Sequence, residues 1–339
     1  MTEQNSMLVL ASRPDGLVGD ENFELRHGPV PQPGDGQLLI RVLWLSFDPT
    51  QRGWLLPAGG SYRAPIEIGQ VMQAYAVGQI VESRHPDWSA GQLVQGMFGW
   101  QDWELSDGRG LTPVMDGVPP QAMLGIYGTT GLTAYFGLTD VGQPRAGEVL
   151  VVSGAAGATG SVVGQIGRIL GCRTIGVAGG AEKCAWLTER AGFDAAIDYK
   201  TDKVGARLDE LAPDGVDVFF DNVGGDILDS VLRRIRRRAR VVLCGAISSG
   251  YVPRRPPPGP SNYFNLCLRS ARMQGFMLGD YSDEFPAGRA QLREWVEGGQ
   301  LTYEEDIQYG LEKAPMTLRR LFEGRNLGKQ LLKVADPPL

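Results

Sequence analysis

Residues 148–170 read EVLVVSGAAGATGSVVGQIGRIL: an apolar run, a turn of small residues, then a segment with apolar residues at helical spacing. The turn is Ser153-Gly154-Ala155-Ala156-Gly157-Ala158-Thr159-Gly160. Small side chains there let the chain turn sharply, let backbone N–H groups approach a pyrophosphate, and let the helix pack closely on the strand. The first turn of the helix adds unpaired N–H groups and the positive end of its dipole. AAGATG is not a strict G-x-G-x-x-G, so its weight comes from the strand before it and the helix after it. The pattern predicts a dinucleotide-binding strand–turn–helix, with an ordinary glycine-rich turn as the alternative.

Downstream the same rhythm repeats. CRTIGVA (172–178), AAIDY (195–199), VDVFFDN (216–222), RVVLCGA (240–246) and RMQGFML (272–278) read as buried strands. Between them EKCAWLTERAG (182–192), closed by Gly192, KVGARLDELA (203–212) and ILDSVLRRIR (227–236) read as helices. This alternation predicts an α/β domain with a doubly wound parallel sheet and right-handed connections. The basic run RRIRRRAR (233–240) reads as a helix end with a solvated face. YVPRRPPPGPSN (251–262) excludes helix and central strand and reads as a lid or surface loop. Upstream, QLLIRVLWLSF (37–47), YAVGQIVES (75–83) and QLVQGMFGW (92–100) are short strands between Gly/Pro/Asp breaks, which predicts an all-β, barrel-like module.

Composition narrows the function classes. The 339 residues are long enough for two domains, and 42% hydrophobic with 21% charged residues is an ordinary globular balance. A net charge of −6 makes neither nucleic acid nor an anionic membrane an expected partner. No apolar run approaches the roughly 18 residues of a membrane span. MTEQNSMLVLASRPDG has no charged segment ahead of an apolar core, so no signal peptide and a cytoplasmic location are expected. Cys172, Cys184, Cys244 and Cys267 form no C-x-x-C pair, and only His27 and His85 join them. That set predicts thiols acting as small core hydrophobes and no metal site.

The second strand selects the cofactor. An NAD enzyme places Asp or Glu at its end, about 20 residues past the turn, to bind the ribose 2′-OH. Here the strand ends Ala178-Gly179-Gly180, uncharged and roomy, with Lys183 just beyond. A missing acid and a nearby cation fit a 2′-phosphate, and therefore NADPH. The alternative for Lys183 is an exposed helix charge.

Across essentially the whole chain, LSFDPTQRGWL (45–55), IGQVMQAYAVGQIV (68–81), GTTGLTAYFGL (128–138), VVSGAAGATGSVVGQIGRILGC (151–172), GGAEKCAWL (179–187), DNVGG (221–225), LCGAIS (243–248), RMQGFML (272–278) and NLGKQLL (326–332) carry a likeness. The chain resembles the medium-chain dehydrogenase/reductase superfamily. More narrowly, it is similar to the zinc-independent NADPH-dependent alkenal/enone double-bond reductases of the leukotriene B4 dehydrogenase or prostaglandin reductase type. The resemblance implies a GroES-like substrate domain over 1–125, a Rossmann NADPH-binding domain over 126–300, a return segment over 301–339, and a homodimer. Gly69-Gln70-Val71 stands where zinc-dependent relatives carry Gly-His-Glu, so the catalytic metal ligands are absent.

Residue roles follow from the same resemblance. Ala156, Gly157, Ala158, Thr159 and Gly160 would face the pyrophosphate, and Lys183 and Tyr199 would hold the 2′-phosphate. Asn222 would lie near the cofactor ribose. Cys244, Gly245, Ala246, Ile247 and Ser248, with Phe276, Met277 and Leu278, would line the nicotinamide. Thr129 and Thr130 would approach the cofactor, and Asn326 would contact it from the closing segment. Core packing is the alternative for Cys244, Phe276 and Leu278. Some relatives carry a tyrosine as proposed proton donor where this chain has Leu268. Tyr62, Tyr263 and Tyr281 are then the candidates facing a small unsaturated carbonyl substrate, with Tyr62 as the catalytic one and water or the ribose hydroxyl as alternatives. The implied reaction is hydride transfer to the β-carbon of an α,β-unsaturated aldehyde or ketone. Quinone reduction and a non-catalytic NADPH-binding sensor are the rival functions.

Overall fold

Apolar β-branched runs bounded by glycine and proline become strands here, and helices fill the intervals between them. The structure, a computed structural model, describes residues 4–57, 63–251 and 259–339. The chain divides into two units. One holds the chain up to Gly125 and again from Glu305 to Leu339; the other holds Ile126–Gly250 and continues to Glu304.

The first unit opens with β1 (Gln4–Leu10), β2 (Phe23–Pro29), β3 (Leu38–Ser46), the short helix α1 (Gln51–Trp54), β4 (Gln73–Ser83), β5 (Leu93–Gly99), β6 (Trp103–Ser106) and β7 (Thr112–Pro113). The second unit runs α2 (Thr129–Phe136), β8 (Val149–Ser153), α3 (Ala158–Ile169), β9 (Arg173–Ala178), α4 (Ala181–Glu189), β10 (Ala195–Asp198) and α5 (Val204–Leu211). It continues through β11 (Val216–Asp221), α6 (Gly225–Leu232), β12 (Ile235–Leu243), α7 (Phe264–Leu268), β13 (Arg272–Gly275) and α8 (Phe285–Glu297). The chain then returns to the first unit as β14 (Glu305–Tyr309), α9 (Ala314–Phe322) and β15 (Lys329–Lys333).

In the second unit the strand order is β10-β9-β8-β11-β12-β13, every pair parallel. That is the doubly wound order in which two βαβαβ halves meet, with the reversal between β8 and β11. On one side, Val151, Ile175, Val177, Phe219 and Val241 pack with Leu208 of α5 and Ile227, Val231 and Leu232 of α6. Both faces of such a sheet are covered, which is why its strands read as continuous apolar runs rather than alternating ones.

Three expectations need correction. The basic run 233–240 is not a helix end: α6 stops at Leu232, and Ile235 is already paired with Val216 in β12. The next paired residues are Val218 and Arg240, so residues 236–239 bulge from the ladder, with Arg236, Arg237 and Arg238 exposed and Ala239 buried. Arg236 meets Asp217 at 3.1 Å, and Arg234 grips Asp209 through two 2.6 Å hydrogen bonds. The strand expected over 272–278 ends at Gly275, and Phe276 to Leu278 leave the sheet. Of the four cysteines only Cys172 is buried; Cys184 and Cys244 are half-buried and Cys267 is exposed on α7.

The first unit closes around its own β-sheet in the order β14-β15-β3-β4-β5-β7, with β6 also on β3 and β1–β2 as a separate antiparallel ribbon. Trp100 sits at the centre of its core, with the Phe23 and Phe47 rings at 5.2 and 5.3 Å. The returning strand β15 pairs antiparallel with β3 and brings a lysine into the interior. Lys329 Nζ donates to Phe47 O at 3.1 Å and to Asp48 Oδ1 at 2.5 Å, while Ser46 Oγ donates to Asp48 Oδ2 at 2.7 Å. Replacing Lys329 by methionine leaves this inward-facing carboxylate without its cation. The expected cost is about 3 kcal/mol of stability, the low end for breaking a buried pair, because Asp48 keeps some solvent and its serine partner. A thermal melt that does not shift downward would show that the pair contributes nothing.

Candidate dinucleotide site

Local geometry at the glycine turn follows from residue size. After Ser153 the chain takes Gly154 through φ +58°, and Gly157 stands as the N-cap of α3 without a side chain to cap it. A Cβ on Gly160 would lie 2.4 Å from the Gly154 carbonyl oxygen, so only glycine lets the first turn of α3 come this close to the strand end. Residues 158–160 open the helix, where N–H groups have no intrahelical acceptor. Small, uncapped and at the positive end of a helix dipole, this cradle fits a pyrophosphate. Ala156 lies buried beneath it.

The end of β9 has the second recognisable feature. A Cβ on Gly179 would meet the Tyr199 ring at 2.8 Å, so the half-exposed ring lies directly against the glycine backbone. Asp198, the acid at the end of β10, is turned toward the main chain. Its Oδ1 accepts the Gly180 N–H at 2.8 Å and the Lys200 N–H at 3.0 Å. The Gly180 hydrogen bond is the main cause holding its carboxyl below the usual range. Lys183 stands half-buried in the first turn of α4. An uncharged strand end, an aromatic face and an ammonium group together suit a 2′-phosphate better than a bare ribose diol.

At the ends of β11 and β12 the turns interlock. Asn222 Nδ2 donates to Ser153 O at 2.7 Å and the Asn222 N–H to Ser153 Oγ at 2.9 Å. Ile247 N–H reaches Asn222 O at 3.3 Å, and Ser248 reaches Val223 O through its N–H at 3.1 Å and its hydroxyl at 2.5 Å. Asn222 and the segment Cys244, Gly245, Ala246, Ile247 and Ser248 therefore share one surface with the glycine turn. Burial of its sulfur pushes the Cys244 thiol up to about 12. The helix α2, opening with Thr129 and Thr130, packs on α3.

The surroundings of the other expected residues are as follows. The Phe276 ring lies edge-on to Tyr281 at 6.4 Å, whereas Met277 is half-exposed and Leu278 starts a short 3-10 turn. Tyr281 stacks on Phe136 at 4.8 Å and donates its hydroxyl to Asp140 at 2.6 Å. Burial, then that hydrogen bond and the Asp140 charge, push the phenol up to about 12, so its proton is committed locally. Tyr263 is 65% exposed and Leu268 68% exposed, at either end of α7. Asn326 belongs to the first unit and donates to Gly328 O at 2.9 Å. Tyr62 and most of the proline-rich segment lie outside the described residues. The sequence assigns no role to Ser153, the first residue of the glycine turn, or to Asp221, the first residue of DNVGG.

Among the described residues no group of three His, Cys, Asp or Glu side chains is placed to hold a metal ion, and no helix is long and apolar enough to cross a membrane. Gln70 instead accepts the Glu67 N–H in a surface turn at 2.9 Å, and Val71 bridges to Val9.

A parallel sheet in this order, with the glycine turn at its reversal and a separate mostly-β unit, defines the class: a Rossmann-type dinucleotide-binding protein. Comparison with known proteins refines that. Residues 7–114 match the family described as N-terminal domain of oxidoreductase, and residues 158–294 the one described as zinc-binding dehydrogenase. The chain is 42% identical to the NADPH-dependent curcumin reductase of Escherichia coli, covering 98% of each protein. It is 35% identical to the NADP(+)-dependent 2-alkenal reductase of Nicotiana tabacum, again over 98% of each. The crystal structure of CurA in complex with NADPH from Vibrio vulnificus superposes with a TM-score of 0.93 at 39% identity, covering 98% of this chain and all of that one. The chain belongs to the zinc-independent medium-chain dehydrogenase/reductases, the branch of NADPH-dependent enone reductases.

Gly160→Ala tests the turn. With a Cβ forced against the Gly154 carbonyl, NADPH affinity should fall by tenfold or more, about 1.4 kcal/mol. Titration of the variant by protein fluorescence gives the number, and wild-type affinity would refute the close-approach argument.

Proposed function

We propose that this chain reduces the C=C bond of α,β-unsaturated aldehydes and ketones, with NADPH as reductant and without metal. The observation that carries the reading is whole-length similarity to a curcumin reductase and a 2-alkenal reductase, both named for conjugated carbonyl compounds. The uncharged end of β9, with Tyr199 against Gly179 and Lys183 beyond, supports NADPH over NADH.

When bound, NADPH would supply a hydride for the β-carbon of the substrate. The chain itself binds, orients and excludes water. Ala156 to Gly160 hold the pyrophosphate, Lys183 and Tyr199 the 2′-phosphate, and Asn222 the ribose. Thr129 and Thr130, with Cys244 to Ser248 and Phe276 to Leu278, enclose the nicotinamide half. Hydrogen bonds to the carbonyl oxygen stabilise the developing enolate. Tyr62, which lies outside the described residues, is the proposed source of the α-carbon's proton. Tyr281 is less suited to that task because Asp140 takes its hydroxyl proton, and Leu268 has none to give. The protein acts in the cytoplasm as a homodimer. Support for self-association comes from β13, an edge strand of the six-stranded sheet, and from the exposed Tyr263, Phe264 and Leu268 beside it.

The decisive assay follows NADPH absorbance with a panel of enals and enones, a quinone, and NADH as control. Rapid oxidation with the enones and NADPH is expected. NADPH binding with no turnover on any enone would overturn the reading, and turnover of the quinone alone would replace it. Lys183→Ala should raise the Kd for NADPH by roughly tenfold or more while leaving NADH binding unchanged, as loss of one charge-assisted phosphate contact of about 1.5–3 kcal/mol requires. Equal effects on both cofactors would remove Lys183 from the 2′-phosphate site.

A further inference from the structure

Asp221 is the last residue of β11, fully buried, at the point where the sheet reverses its order. Its carboxylate accepts the Ser153 hydroxyl at 2.6 Å and the Val223 and Gly224 N–H groups at 3.0 Å, the latter also reaching Oδ2 at 3.1 Å. Its carbonyl accepts the Cys244 N–H at 2.9 Å and the Gly245 N–H at 3.1 Å. Ser153 Oγ in turn accepts the Asn222 N–H. One residue thus ties the ends of β8, β11 and β12 together, and it does so with neutral donors and no cation among them.

A buried carboxylate without a counter-charge is an expensive way to join three strands. What the carboxylate adds is direction: every group that converges on it is a donor, so the turns after β8 and β11 each have a single satisfied arrangement. Those turns carry Asn222 and, through the carbonyl of Asp221, the segment from Cys244 to Ser248. They do not carry Lys183 or Tyr199, which stand beyond β9 on the other half of the sheet.

We infer that Asp221 is a positioning residue for the nicotinamide-ribose half of the cofactor, acting through Ser153, Asn222 and Cys244–Ser248 and not on the adenosine half. The inference rests on the NADPH reading above. In Asp221→Asn only one side-chain oxygen remains to serve these donors and the negative charge is lost, while side-chain volume is kept.

The test compares two ligands on full-length protein: NADPH, and 2′,5′-ADP, which contains only the adenosine half with its 2′-phosphate. Asp221→Asn should weaken NADPH about tenfold and leave 2′,5′-ADP within about twofold, the smaller figure being under 0.5 kcal/mol. Ser153→Ala, which removes one donor and keeps the carboxylate, should show the same selectivity at smaller amplitude. It carries the test if Asp221→Asn does not fold. Equal losses for both ligands would reduce Asp221 to a fold-stabilising residue, and unchanged NADPH affinity would remove the role altogether. Failure of the wild-type protein to bind NADPH would strike the cofactor reading itself, before any variant is compared.

Discussion

Between β8 and β11 the sheet of the second unit changes direction, and the two strand ends are held by the hydrogen bond from Ser153 Oγ to Asp221 Oδ1. In a doubly wound sheet the helices after these two strands leave on opposite faces, and a crevice opens at the strand ends. The crevice has a fixed shape only if the strand ends do. Here the acceptor is a buried carboxylate whose burial pushes its pKa up, against the pull of the Gly224, Ser153 and Val223 hydrogen bonds. The glycine turn, the Asn222 turn and the Cys244–Ser248 segment are all bonded, directly or at one remove, to this pair.

The first unit solves a different problem. Its sheet is completed by a strand from the far end of the chain, joined to β3 and locked by the buried Lys329 ammonium on Asp48 and Phe47 O. A charge inside an apolar core is tolerated where its donors are matched, and the penalty for mismatching it disfavours slipped registers of β15. The unit is therefore discontinuous in sequence but continuous in packing.

Signals in the chain are legible where they are self-contained. The glycine turn announces itself because three physical demands converge on eight adjacent residues. The roomy end of β9 is legible for the same reason: the missing acid and Lys183 lie within a few residues. RRIRRRAR was misread because arginine is compatible with a helix end, and the bulge opposite Asp217 is defined by a neighbouring strand. Cys267 was misread because α7 buries little of itself. Asp221 was overlooked because an acid ending an apolar strand has no local mark. Its chief partner, Ser153, is 68 residues away.

Periodicity and turn chemistry thus specified the α/β class, the β-rich leader, the dinucleotide turn and the type of cofactor, since each depends on the covalent neighbourhood of a few residues. Partnership across the sheet was decided only on folding. Strand order puts Ser153 beside Asp221 and Tyr199 against Gly179, and the packing of the helical segments puts Asp140 on the Tyr281 hydroxyl. Hydrogen bonds and charges act over a few ångströms of space and take no account of distance along the chain.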